Sequence, residues 1–376
     1  MKILVFPLFQ FPTGHLKVAE TVNEYIAEKY PEAELKIIDF LSYCNCNLEK
    51  MISSIYFKWI NTTPSIYRTL YKTVMYSDQQ RKLKPDFRFF SLYFEKKMKK
   101  LIEDEDPSLI ICTHSFPSSV IGKLKNKGSI HNISTVNIYT DFFMNDIWAK
   151  KEIQYHFVPH VKAKEKLISD YQIKEESIFV TGIPVKSSFD DSEQPLKTTV
   201  KHVLVAGGNN GLYKTNELIQ MMNSLSSIKF TVLCGNNREL YSILKQLDSS
   251  HIQPRGYIHC SKELDRLYSE VDAILTKPGG VTISEAIRKR IPIFILNSLP
   301  GQEEINLNFL LKEGIAISIL PYKLIEQVTS ILTNEEEMTS LKKKMDLYLE
   351  KLSCPFSEAI SSIISKEFSY KLIKSQ

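Results

Sequence analysis

Short apolar, β-branched runs alternate along the chain with longer amphipathic stretches, and this alternation sets the expected fold. In the first half, Lys2–Pro7, Leu35–Phe40, Ser108–Thr113 and Ile133–Tyr139 read as buried strands, with shorter extended runs at Tyr155–Pro159 and Ser177–Thr181. Between the first two, His15–Tyr30 places Leu16, Ala19, Val22, Tyr25 and Ile26 at helical spacing. Strand, helix, strand is the βαβ unit of a parallel sheet. The second half repeats the plan with strand candidates at His202–Ala206, Phe230–Leu233, Ala273–Thr276, Pro292–Leu296 and Ala316–Leu320. Gly207-Gly208-Asn209-Asn210-Gly211 follows the first of these and Gly235-Asn236-Asn237 the second. Small residues directly after parallel strands mark the sheet edge where α/β folds bind ligands.

Between the halves, Ser187–Thr199 is polar, contains a proline and lacks periodicity, so it reads as a linker. After Pro355, the residues Phe356, Ala359, Ile360, Ile363, Ile364 and Phe368 form one apolar helical stripe. A chain of 376 residues exceeds what one core usually serves. The expected organisation is an N-terminal domain over 1–187, a linker over 188–199, a second domain over 200–352 and a closing helix over 353–376. The expected class is α/β, with two doubly wound Rossmann-like domains facing each other across a cleft. The closing helix is expected to return to the first domain.

Composition changes this picture in one place. The net charge is only +5, but residues 51–100 alone carry +8 and eleven aromatics, among them Trp59, Tyr67 and Tyr71. Basic residues such as Arg68 and Lys72, interleaved with rings, suit an anionic membrane surface. The same mixture serves single-stranded nucleic acid or an ordinary helical subdomain; the membrane reading is preferred and nucleic acid is not expected as a partner. No run of about 18 apolar residues is present, so no spanning helix is expected. The first residues are interrupted by Pro7, Pro12 and Gly14, and read as a buried strand of a cytoplasmic protein, not a signal peptide. The six cysteines are scattered and read as reduced structural thiols.

The candidate chemistry begins at Lys277-Pro278-Gly279-Gly280-Val281-Thr282-Ile283-Ser284-Glu285. A strand ends, two glycines turn, and a helix starts with its backbone N–H groups and positive dipole end available to phosphate. Glu285 reads either as a dipole partner or as an acceptor for two ribose hydroxyls. A second turn-to-helix edge, Leu299–Asn306, carries Gln302, Glu303 and Asn306, whose amide and carboxylate groups suit vicinal sugar hydroxyls. Asp104-Glu105-Asp106 spells a metal-binding D-x-D but ends a lysine-rich helix, and reads as a solvated terminus. His114, His156, His160 and Glu165 have no metal-ligand spacing, so no metal is expected.

The glycine motifs above, with Gly256-Tyr257-Ile258, Pro300-Gly301-Gln302-Glu303, Thr140-Asp141-Phe142 and Thr181-Gly182-Ile183-Pro184-Val185, resemble the diacylglycerol glycosyltransferases. These comprise the monogalactosyldiacylglycerol synthases and processive diacylglycerol glucosyltransferases, relatives of the peptidoglycan lipid-linked N-acetylglucosaminyltransferase. The resemblance implies a GT-B fold and an inverting, metal-independent transfer of a hexose from a UDP-sugar co-substrate, without a cofactor. It implies that Glu285 holds the ribose, that Gly279, Gly280, Val281 and Thr282 meet the phosphates beside Lys277, and that Ile258 lies near uracil. It also implies that Gly207 and Gly208 line the diphosphate side of the cleft and that Gln302 and Glu303 face the sugar; Gly14, Asn209, Gly235 and Asn306 are further donor-binding candidates.

The same family keeps a histidine in a glycine-rich loop after the first strand. Here that loop is Phe11-Pro12-Thr13-Gly14-His15, with Gly14 alone where the family has several glycines. His15 is a candidate base that titrates in a useful range; a helix-capping role is its structural alternative. Asp141 is the rival base or the group that orients it. The expected acceptor is diacylglycerol or a glycolipid, with peripheral membrane association. A soluble metabolite as acceptor, a UDP-sugar epimerase, and a non-catalytic UDP-sugar sensor remain as alternatives on the same fold.

Overall fold

The computed structural model describes residues 1–8, 13–47, 88–189, 200–207, 215–320 and 323–374. The chain divides into two compact units: Met1–Pro184 with Lys351–Gln376, and Val185–Glu350.

The strands of the first unit are β1 (Lys2–Phe6), β2 (Glu34–Ile37), β3 (Leu109–Cys112), β4 (Ser134–Ile138), β5 (Tyr155–Val158) and β6 (Ile178–Val180). They pair in parallel in the order β2-β1-β3-β4-β5-β6. The described helices between them are α1 (Gly14–Lys29), α2 (Phe40–Cys44), α3 (Arg88–Glu105), α4 (Ser115–Asn126) and α5 (Val161–Tyr171). Every residue of β3 and β4 is buried, as strands covered on both faces must be. From β1 the chain steps to β2, then returns past β1 to lay down β3. The loops leaving β1 and β3 therefore diverge, and open a crevice at the carboxyl edge of the sheet. The expected strand Leu35–Phe40 ends earlier than its apolar run, because Asp39 caps a helix: its Oδ1 accepts the Leu41 N–H at 3.1 Å.

The last helix of the chain, α13 (Phe356–Lys374), belongs to this unit. It buries Phe356, Ala359, Ile360, Ile363 and Ile364. The Phe356 ring meets Tyr25 of α1 at 6.0 Å and Phe157 of β5 at 5.9 Å, and the Tyr25 hydroxyl bonds Ser361 at 2.8 Å. Just before it, Ser353 exchanges hydrogen bonds with Val180, covering the open edge of β6.

The second unit repeats the design with β7 (Lys201–Ala206), β8 (Ile228–Leu233), β9 (Ile252–Arg255), β10 (Ala273–Thr276), β11 (Ile293–Ile295) and β12 (Ala316–Ser318). Their parallel order is β12-β11-β10-β7-β8-β9. Its helices are α6 (Thr215–Ser224), α7 (Arg238–Gln246), α8 (Ser261–Ser269), α9 (Val281–Arg288), α10 (Gln302–Glu313), α11 (Leu324–Thr333) and α12 (Glu335–Glu350). Here the winding reverses between β7 and β10. The hydrophobic pattern predicts no strand at β9, whose Gln253-Pro254-Arg255 is polar and proline-broken. Its place at the sheet edge explains the tolerance, since Pro254 lacks an N–H for an outer neighbour that the sheet does not have.

Ile363→Ala leaves a cavity under α13, where Ile363 is fully buried. The expected cost is about 2–5 kcal/mol, read as a lower urea midpoint for the transition of the first unit.

Candidate active site

The crevice between β1 and β3 gathers four polar side chains. Thr13 caps α1, its Oγ1 accepting the Leu16 N–H at 3.2 Å, so exposed Gly14 and half-buried His15 form the first helical positions. This places His15 Nδ1 3.1 Å from the carbonyl oxygen of Thr113, just past β3, and 2.6 Å from the Thr140 hydroxyl, just past β4. A carbonyl only accepts. Nδ1 therefore carries the proton, and Nε2 presents its lone pair. Thr113 also donates its hydroxyl to the His15 carbonyl at 3.0 Å, so one residue grips both ends of the histidine.

His114 stands edge-to-face against His15, with ring centroids 4.6 Å apart and an interplanar angle of 88°. It caps α4: its Nδ1 accepts the Phe116 N–H at 3.0 Å, which leaves its own proton on Nε2. Two imidazolium ions cannot share this space. Burial and the charge of His15 hold the His114 pKa well below its ordinary value. For His15 burial is the largest influence and lowers the pKa, against the charge of Asp141 and the Thr113 carbonyl, which raise it. The N-terminal position in α1 disfavours the cation further. The result is a histidine kept neutral and oriented, with half-buried Asp141 acting on it through charge while Thr113 and Thr140 hold its Nδ1.

In the second unit the crevice lies between β7 and β10. Buried Gly207 follows β7, and Lys277-Pro278-Gly279-Gly280 follows β10 and starts α9. Gly280 occupies the cap position and offers no side chain to the first N–H groups of α9. At Gly279 an added Cβ would meet nothing within 4 Å, so packing inside the protein does not explain the glycine. A bare backbone beside an uncapped helix start suits the close approach of an anion. Lys277 is half-buried next to it, its pKa lowered by burial and raised again by Glu303.

Glu285 lies one turn inside α9 and is 6% exposed, too deep for a solvated dipole partner. Its Oε2 accepts the Tyr268 hydroxyl at 3.0 Å. On the adjoining strand β11, the turn into α10 depends on Gly301, whose φ of 95° and ψ of −116° only glycine adopts freely. Glu303 closes this turn by accepting the Leu299 N–H at 2.7 Å. Gln302 is half-buried at the helix start, and Asn306 is fully buried one turn in. Gly235 and half-buried Ile258 follow β8 and β9 on the same edge.

His15, Gly14 and Asp141 thus share one crevice, and Gly207, Lys277, Gly279, Gly280, Val281, Thr282 and Glu285 another. Gly208 and Asn209, and the surface candidates Trp59, Tyr67, Arg68, Tyr71 and Lys72, lie outside the described residues. Thr113, His114, Thr140 and Tyr268 join the sites without having been assigned roles from sequence. The first three follow strands, a signal that was available; Tyr268 sits in an unremarkable amphipathic helix. His160 caps α5 and His156 bonds buried Tyr139, which accounts for both by structure. Glu105 pairs with Lys36 at 2.7 Å and Lys2 at 3.2 Å, at the opposite edge of the first sheet from His15. Among the described residues no helix is long and apolar enough to cross a membrane.

Known proteins place these features in context. The profile of a family described as monogalactosyldiacylglycerol (MGDG) synthase matches residues 15–185. The uncharacterised glycosyltransferase YkoN of Bacillus subtilis is 35% identical over 361 residues, covering 93% of this chain and 94% of its own. A processive diacylglycerol β-glucosyltransferase of Bacillus pumilus is 28% identical, with 98% and 97% covered. Among solved structures, MurG of Acinetobacter baumannii superposes with a TM-score of 0.63 at 11% identity, covering 97% of this chain and 99% of that one.

Because burial lowers the His15 pKa from 6.5, its ring loses the neutral form only as pH falls below that value. An NMR titration is expected to place the midpoint under 6.5. Asp141→Asn removes a charge that favours the cation, and is expected to move the midpoint lower still.

Proposed function

Because the chain is a GT-B glycosyltransferase of the monogalactosyldiacylglycerol synthase family, we propose that it transfers a hexose from a UDP-sugar to a hydroxyl of diacylglycerol or a glycolipid, with inversion and without a metal ion. The observation that carries the donor reading is the β10–α9 turn. It combines uncapped N–H groups, a glycine that packing does not require, a half-buried lysine and, one turn on, a buried carboxylate held by a tyrosine. Diphosphate fits the first three and a ribose diol the fourth.

In this reading His15 Nε2 removes the acceptor hydroxyl's proton as that oxygen attacks C1 of the sugar. The bond from C1 to the diphosphate oxygen breaks, and its electron pair leaves with UDP. The N–H groups of Val281 and Thr282, with Lys277, offset the charge that grows on the departing phosphate. Thr113 and Thr140 keep the lone pair of His15 on the attacking side of the ring, and the lowered pKa keeps it unprotonated at neutral pH. Gln302, Glu303 and Asn306 take the sugar hydroxyls.

The lipid acceptor is supported by relatives named for diacylglycerol and by the basic, aromatic residues 51–100, which suit an anionic membrane surface. Peripheral association from the cytoplasmic side follows from the same reading.

Incubation of the protein with UDP-glucose or UDP-galactose and diacylglycerol vesicles containing anionic lipid is expected to give a glycolipid. Transfer only to a soluble acceptor, with no vesicle binding, would overturn the lipid acceptor. His15→Ala is expected to lower kcat by about 10²–10⁴-fold with UDP affinity retained. Asp141→Asn is expected to stay active, its acid limb displaced to lower pH; complete loss in that variant would make Asp141 the base.

A further inference from the structure

Among the described residues of the second unit, one buried side chain that the donor reading leaves without a role touches an assigned group directly. Tyr268, on α8, is 2% exposed and points its hydroxyl at Glu285 Oε2, 3.0 Å away. It thus braces the α9 carboxylate assigned to the ribose. Behind it, Phe189 meets the tyrosine ring edge-on, at 5.2 Å and 90°. The ring cannot swing away without displacing a buried phenylalanine, which is 1% exposed.

We propose that Tyr268 is a positioning residue for nucleotide recognition, which fixes the rotation of the Glu285 carboxylate so that it meets the ribose diol in one geometry. The inference rests on the donor reading above and deepens it. A carboxylate turns easily about its last bond, and an ordered acceptor pair needs one oxygen anchored. Tyr268 supplies that anchor as a donor. Burial and the neighbouring negative charge of Glu285 raise its pKa well above 10.0, so the phenol keeps its proton throughout the working range. Phe189 holds the anchor in turn.

Tyr268→Phe keeps the ring and its packing and deletes only the hydroxyl. Binding of UDP and of 2′,3′-dideoxy-UDP, which has no diol for Glu285, is measured by calorimetry for both proteins. The variant is expected to bind UDP about tenfold more weakly and dideoxy-UDP as the unaltered protein does. Equal losses for both nucleotides would reveal general loosening and overturn the proposal, as would unchanged UDP affinity. If the unaltered protein does not prefer UDP over dideoxy-UDP, the ribose assignment fails, and this inference with it. Should Tyr268→Phe not fold, Phe189→Leu, which loosens the ring but keeps the hydroxyl, is expected to show the same selective loss at smaller size. An unselective loss there counts equally against the proposal.

Discussion

Parallel strands joined by right-handed crossovers bury both sheet faces, and this constraint governs where the protein can do chemistry. Inside the sheets a polar group is costly unless it is bonded. Side chains meant for a ligand are therefore driven to the carboxyl edge, and along that edge to the point where winding reverses. Each unit has one such point. Between β1 and β3 it collects His15, Thr113 and His114, with Thr140 arriving from β4. Between β7 and β10 it leaves Gly207 and the Lys277–Gly280 turn.

Both crevices solve the same problem by opposite means. In the first, a half-buried titratable ring is held at Nδ1 by a carbonyl and a hydroxyl. A carboxylate partner would strengthen the base but also favour its charged form; the threonines orient it at a smaller electrostatic cost. In the second, backbone is left bare, and the charged groups around it are restrained by their neighbours. Glu303 is engaged by the Leu299 N–H and Glu285 by Tyr268. Order is built before any ligand arrives.

Much of this was legible in the residues because parallel sheets write themselves as apolar runs. The eleven expected strands need only their apolar pattern, and the turns after β7, β8 and β10 announce themselves by glycine. β9 escaped because edge strands tolerate proline and polar residues, which erase the pattern. Leu35–Phe40 was overrun because periodicity is blind to the cap that Asp39 supplies. At the sites, the glycine turn after β10 pointed to Lys277 and Glu285, and the family resemblance pointed to His15. Their supports were hidden, because Thr113 lies 98 positions from His15 and Thr140 lies 125 away. Tyr268 reaches Glu285 across a strand and a turn, and only folding brings such pairs together.

The contact between Phe189 and Tyr268 also bears on how such enzymes can be recombined. Phe189 precedes residues 190–199 in the chain, yet its ring is seated in the second unit. A chimera that exchanges this unit at the polar stretch would graft a foreign residue behind Tyr268, and leave the partner of Glu285 with an unmatched back wall. The natural seams lie at the Pro184–Val185 and Glu350–Lys351 boundaries. Exchange at both carries the brace along with Tyr268 and leaves α13 with the first unit, so the two units can be shuffled as intact mechanical parts.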